Sequence, residues 1–305
     1  MLHKLEFHAM GCEMSAVLDS PTRPAELDQL PAWFEAWEQT FSRFRLDSEL
    51  SQANRRAGLP TRVSAEFAEV FELACSAEQA SGGLVTPVLL DALLRAGYDR
   101  SFEMLPGPPL FPALLEQSLA AGLAQVQWDP ATRTLCLPEG LHLDFGGLVK
   151  GWSASRAAAR LEKFGPVLVE AGGDIAIRGR MTSGDYWPVG IAAPYQAAEH
   201  VALLKLETCG VATSGKDHRR WLQNGSLRHH LIDPRTGLPA QNDMLTATVI
   251  APDSIQAEWA AKTCLLLGQQ EGLAWLNAHP AFAGLLVLED GRYCYSQNFE
   301  NYLWS

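Results

Sequence analysis

The six cysteines, at positions 12, 75, 136, 209, 264 and 294, make no C-x-x-C pair and no zinc-type Cys/His spacing. That leaves reduced, packed thiols as the expectation, and a cytoplasmic setting fits them best. No stretch approaches the roughly 18 apolar residues that a membrane span requires. A lipoprotein leader is also not expected: "AMGC" (9–12) imitates a cleavage box, but "MLHKLEFH" before it is short and carries Glu6 and two histidines. Charge is sparse and mostly negative, with 19% charged residues and a formal net charge of -11. Such a balance disfavours general binding of nucleic acid or anionic membrane, so any phosphate site must be small and made largely of backbone.

Several catalytic signatures are incomplete. Gly210, Gly215 and Lys216 satisfy the first seven positions of G-x-x-x-x-G-K, but Asp217 stands where a metal-binding hydroxyl is needed. The helix that should follow is doubtful, because "DHRRWLQNGS" soon reaches Asn-Gly. Neither Gly146-Gly147 nor Gly172-Gly173 completes G-x-G-x-x-G, there is no G-x-S-x-G, and Ser214 has no triad order around it. Internal repeats, low-complexity segments and linkers are missing too, so a single domain over 1–305 is the simplest organisation.

What is present is ample material for a core: 305 residues, 47% of them hydrophobic. Apolar residues at three- and four-residue steps predict a helix within 24–44, broken early by Pro31, and a second over 64–83 opened by Ser64. A proline-rich loop, "LPGPPLFP" (105–112), precedes the middle of the chain. "LHLDFGG" reads as a strand ending in glycines. From 143 to 179 the pattern is strand, Gly146-Gly147 turn, helix with Leu148, Trp152 and Leu161 inward, stop at Gly165, strand, Gly172-Gly173 turn, strand. "GVATSGKD" (210–217) is a third glycine junction after a strand-like "VALLKLE". "MLTATVIAP" alternates as a strand, and 253–268 is a helix capped by Ser254 and stopped at Gly268. The fold class is α+β, mixed sheets packed with helices.

"RHHLIDPRTGLPA" (228–240) raises the sharpest local question. Asp233 can accept from the backbone two residues on, Pro234 presets φ and Gly237 supplies φ > 0, so the chain reverses tightly and holds His230 at a rigid rim. Read alone, the simpler account is that the two histidines end a strand, one on each face. Likewise the Gly-Gly pairs either admit a ligand to the backbone or simply turn. Asp174 suits an Asx turn, Glu49 a solvated charge and Ser48 a cap.

Taken in order, "FSRFRLDSELSQAN", "DFGGLVKGWSASR", "VEAGGDIAIRG", "VATSG", "HHLIDPRTG" and a helix ending "LLLG" resemble the ApbE-type flavin transferases, the FAD:protein FMN transferase family, from about Met10 to the C-terminus. The resemblance implies the fold of that family and an enzyme that moves the FMN half of FAD onto a Thr or Ser hydroxyl of an acceptor flavoprotein. AMP is released and Mg2+ assists. It places Met10, Ser48, Glu49, Asn54 and Asp174 in the flavin or nucleotide pocket. Gly146, Gly147, Gly172, Gly173, Thr213, Ser214 and Gly215 can offer backbone N–H groups to a diphosphate. Lys150 adds a point charge, and His230 is suited to take the acceptor's proton.

The chain departs from the family pattern at three positions. Thr86 stands at an aspartate position, Ser155 at another, and Glu258 and Lys262 occupy the places of an Asp and a Thr that bind the metal. Thr263 is next door, but one residue turns a helix by about 100°, which points it elsewhere. An ammonium cannot ligate Mg2+. The departures open an alternative: a non-catalytic FAD-binding protein, or a variant that hydrolyses FAD. A third view makes Glu258 and Lys262 a surface i,i+4 ion pair.

Overall fold

A computed structural model describes residues 1–105, 122–194, 196–223 and 226–304. Most of the proline-rich 105–112 stretch and the Asn-Gly at 224–225 lie outside the described residues. In chain order the elements are β1 (Leu2–Ala9), β2 (Cys12–Asp19), α1 (Leu30–Phe41), α2 (Glu49–Arg55), β3 (Thr61–Arg62), α3 (Ala65–Ala80), α4 (Leu90–Arg95), β4 (Gln127–Asp129) and β5 (Thr134–Cys136). After these come α5 (Val149–Leu161), β6 (Val167–Ala171), β7 (Asp174–Arg178), β8 (Trp187–Ala193), β9 (Gln196–Leu206), β10 (Cys209–Gly215), β11 (Arg220–Gln223) and β12 (Ser226–His229). The chain closes with β13 (Ile232–Asp233), β14 (Leu238–Pro239), β15 (Met244–Ala251), α6 (Ser254–Leu267), α7 (Gln269–Ala278), β16 (Ala283–Leu288) and β17 (Tyr293–Tyr295).

These elements cluster into two compact units, each assembled from separated stretches of chain. The first holds Met1–Glu35, Lys150–Asp217 and Asn242–Ser305, and the second Ala36–Val149 and His218–Gln241. In the first unit an antiparallel sheet runs β1-β2-β6-β7-β10-β15-β16-β17. Strand β15, between β10 and β16, is buried at every position, so the alternation expected of "MLTATVIAP" reflects residue type rather than exposure. One face is covered by a core that includes Ile177, Trp187, Leu204, Ile250 and Leu285. α6 packs against β10 and β15 and is buried around most of its circumference, which explains its run of alanines.

Gly210 lets the start of α6 approach β10. A Cβ there would collide with the Asp253 carbonyl carbon and with Ser254 N, both backbone atoms. Gly210→Ala is therefore expected to cost about 3 kcal/mol, a drop of roughly 6 to 10 °C in melting temperature. A thermal melt unchanged from the parent would contradict this packing.

In the second unit α3 begins at its predicted cap, with Ser64 Oγ accepting from Phe67 N at 3.2 Å. Phe41, Phe67 and Phe145 form edge-to-face and stacked ring pairs beside it. Tyr98, Trp221 and Ile232 share a second cluster with Ala92 and Leu93 of α4.

Four expectations need correction. Pro31 does not break α1; it lies in the first turn, where its missing N–H costs nothing, and the helix ends at Phe41, leaving Phe44 42% exposed. "LHLDFGG" is not a strand. The extended segment instead uses the Asn54 side chain as its partner, with Nδ2 donating to Leu143 O at 2.9 Å and Oδ1 accepting from Leu143 N at 2.8 Å. The cap of α6 is Asp253, which accepts from Gln256 N at 2.8 Å, while Ser254 sits inside the first turn. Finally, Gly210–Gly215 lies within strand β10, with Gly215 its last residue, rather than forming a loop. No described helix is long and apolar enough to cross a membrane.

Candidate functional site

In the first unit two hairpin turns lie side by side. Met10 and Gly11 join β1 to β2 with φ of 51° and 66°, and Gly172 and Gly173 join β6 to β7 with φ of 59° and 96°. Gly172 N donates to Glu13 O at 3.2 Å, and a Cβ on Gly172 would meet Cys12 at 2.8 Å. Two neighbouring tight turns thus need a residue without a side chain. The first turns of α5 lie over them: the Ser153 Oγ is 4.0 Å from the Met10 sulfur, and Lys150 Cδ is 3.6 Å from the Gly172 Cβ position.

Asp174 opens β7 directly after the glycines and is buried, its Oδ2 accepting from Lys150 Nζ at 2.6 Å. Glu258 reaches the same place from α6. Its Oε2 accepts from Gly151 N at 3.0 Å, and its Oε1 lies 3.9 Å from Lys262 Nζ. Gly151 belongs to the first turn of α5, where an anion is favoured by the helix dipole. Ser254 Oγ donates to Gly151 O at 2.6 Å, and Gly151 itself has no room for a Cβ against Ser254 O. Burial and the neighbouring Asp174 charge push the Glu258 carboxyl up to about 7, against the opposing pull of Lys262, Lys150 and the Gly151 N–H. Glu258 is 3% exposed, which rules out a surface ion pair.

The end of β10 completes this region of the sheet. Its register with β7 stops at Val211↔Ile175, while pairing with β15 continues through Thr213↔Thr248 to Gly215↔Thr246. Extrapolated along the strand, Thr213 is level with Gly173. Thr213 and Thr248 join their hydroxyls at 2.8 Å, and Ser214 is buried. Lys216 is not a phosphate lysine. Its buried Nζ donates to Asn242 O at 2.9 Å and meets Glu289 Oε1 at 2.9 Å, and a strand, not a helix, follows, so the P-loop reading fails.

In the second unit the turn after His230 forms as expected. Asp233 Oδ1 accepts from Arg235 N at 2.9 Å, Gly237 has φ of 69°, and Gly237 N donates to Asp233 O at 2.8 Å. β13 and β14 close it as a short hairpin. His229 Nε2 donates to Ala240 O at 3.0 Å, whereas the half-buried His230 ring stands edge-on to Tyr98 at 6.5 Å. Replacing Asp233 by alanine is expected to lower the melting temperature by roughly 3 to 6 °C, with activity per folded molecule retained. An unchanged melting temperature would contradict the turn's role.

Tyr98 belongs to a network that the sequence did not announce. Arg43 lies over its ring at 4.4 Å, donates to its carbonyl at 2.7 Å, and pairs through Nε with Asp144 Oδ2 at 2.8 Å. Asp144 Oδ1 then accepts from Gly146 N at 2.7 Å, fixing the start of the Gly146-Gly147 turn. The one local signal was Asp144 itself, two residues before the glycine.

Ser48 caps α2, accepting from Ser51 N at 3.0 Å. Glu49 is not solvated; it accepts from Ser64 N at 2.5 Å and from Ser64 Oγ at 2.6 Å. With Asn54 on Leu143, these three side chains are bonded into the second unit's framework. Thr86 Oγ1 accepts from Val88 N at 3.3 Å, and Ser155 Oγ accepts from Arg178 at 3.3 Å.

The family model for the ApbE family matches residues 10–286. The chain belongs to the ApbE family. It is 30% identical over 289 residues to an FAD:protein FMN transferase of Treponema pallidum, covering 88% of this chain and 78% of that protein. A Haemophilus influenzae protein of the same name is 30% identical over 263 residues, covering 82% and 74%. The fold is similar to the ApbE protein from Thermotoga maritima, with a TM-score of 0.88 at 23% identity over the whole of both chains. It is also similar to the apo form of the Pseudomonas stutzeri flavinyl transferase ApbE, with a TM-score of 0.82 at 21% identity over 99% of this chain and 96% of that one. This ApbE-family chain therefore has the α+β architecture of its relatives, and its Gly-Gly turns, Lys150, Asp174 and Glu258 all fall within the matched region.

Proposed function

We propose that the chain is an FAD:protein FMN transferase acting on a Thr or Ser hydroxyl of an acceptor flavoprotein. What carries this reading is 30% identity, over most of both lengths, to proteins of that name. In the reaction the acceptor oxygen attacks the phosphorus that bears the riboflavin portion of FAD. The bond from that phosphorus to the AMP phosphate breaks, AMP leaves, and the acceptor's proton passes to a base. Such a transfer depends on positioning and charge neutralisation more than on covalent help.

His230 is that base in this proposal, supported by its half-buried ring at the rim of a hydrogen-bonded turn. Lys150 and the Gly173 N–H bind the diphosphate in this proposal; Gly172, whose own N–H is held by Glu13 O, shapes the turn, and Met10, Asp174 and Thr213–Gly215 stand beside them. Gly146 and Gly147 contribute backbone to the flavin or nucleotide. Ser48, Glu49 and Asn54 serve the pocket by holding the segments that carry it. Reduced thiols at the six cysteines fit a reducing, cytoplasmic setting.

AMP release from FAD, followed with and without an acceptor flavoprotein, tests the reading. Release that requires the acceptor supports transfer. Release without it means hydrolysis, and FAD binding with no AMP in either case means a carrier.

A further inference from the structure

The resemblance implies a divalent cation at Glu258, and the side chains present do not fit one. Glu258 Oε2 is occupied by the Gly151 N–H, its Oε1 faces the Lys262 ammonium, and Asp174 Oδ2 is held by Lys150. Thr263, the nearest hydroxyl on α6, is fully buried and donates back to Trp259 O at 2.8 Å, so it is turned into the helix. Among the described residues no group of three His, Cys, Asp or Glu side chains converges to hold a metal ion. Each carboxylate that could serve as a hard oxygen ligand already has an ammonium beside it.

We infer that Lys262, together with Lys150, takes the place of a divalent cation in this pocket, so that the chain holds its substrate's diphosphate with two ammonium groups and without metal. The identity of that diphosphate rests on the transferase reading; the missing metal site does not.

The physical case is charge and reach. Around Glu258 two carboxylates meet two ammoniums, and the four formal charges cancel. The pocket therefore carries no excess negative charge to repel a diphosphate. Lys262 keeps its side chain 18% exposed, and Lys150 20%. Both heads can then share donors between a buried carboxylate and an incoming phosphate oxygen, since each ammonium has three. The carboxylates orient the two lysines, and charge-assisted bonds from fixed donors are the strong kind.

Two probes test this on the intact chain: Mn2+ alone, followed by electron paramagnetic resonance, and FAD, titrated in EDTA and in millimolar Mg2+. The parent should immobilise no Mn2+ and bind FAD equally in both buffers, within about twofold. Lys262→Thr should weaken FAD binding in EDTA by about tenfold or more. The double change Glu258→Asp with Lys262→Thr should gain both Mn2+ binding and Mg2+-dependent FAD affinity. Lys262→Arg should keep metal-free binding, and thermal melts identify any variant that fails to fold. Immobilised Mn2+ or Mg2+-dependent affinity in the parent would overturn the inference, as would a folded Lys262→Thr protein with undiminished affinity in EDTA. If FAD binds in neither buffer, the transferase reading falls and the diphosphate assignment with it, while the Mn2+ result still decides the metal.

Discussion

Replacing His230 with asparagine is expected to lower FMN transfer by about 10²- to 10⁴-fold while FAD affinity stays within a few-fold. Asparagine keeps a polar side chain of similar reach but cannot accept a proton near neutral pH. The hydrogen bonds from Arg235 and Gly237 to Asp233 that support the turn do not involve the imidazole and survive the change. Single-turnover transfer and a separate FAD titration distinguish the two effects. Equal losses in both would make His230 a binding or folding residue. A second variant, Tyr98→Leu, removes the ring against which the imidazole stands and should lower transfer less than His230→Asn does.

The second large effect is expected at Lys150. Asp174 and Glu258 have side chains only 2% and 4% exposed, so Lys150→Met removes a cation from beside buried carboxylates. Breaking such a pair costs about 3 to 5 kcal/mol. Proton uptake by Glu258, already pushed up to about 7, offsets part of that. The melting temperature should fall by roughly 6 to 15 °C, and FAD affinity should fall with it. The double change Lys150→Met with Asp174→Asn separates the causes. It should restore much of the stability, because no charge is stranded, yet leave FAD binding weak, because the ammonium is gone. Restored binding in the double variant would assign Lys150 a purely structural role.

How much of this was legible in the sequence depends on how local the deciding interactions are. α3 could be read from Ser64 and its phenylalanine spacing, and the β6–β7 hairpin from its Gly-Gly pair, because cap and turn are settled within a few residues. The Asp233 turn was legible for the same reason. The extended 141–145 segment was misread because its partner is a side chain 89 residues away in sequence, Asn54. Arg43 and Tyr98 are 55 residues apart and gave no signal beside His230. The cap of α6 slipped by one residue because Asp253 and Ser254 are both good caps, and Ser254 is drawn to Gly151 instead. Burial of Glu258 could not be read from its spacing to Lys262, since an i,i+4 pair looks the same on a wet or a dry face.

The central claim is that FAD is the donor and a protein hydroxyl the acceptor. The intact mass of an acceptor flavoprotein bearing a candidate Thr or Ser, measured after incubation with this chain and FAD, tests it most directly. The account predicts a gain of one FMN less one water on that residue, equimolar AMP, and no gain when the hydroxyl residue is changed to alanine. FAD consumed to FMN and AMP with the acceptor mass unchanged would contradict it.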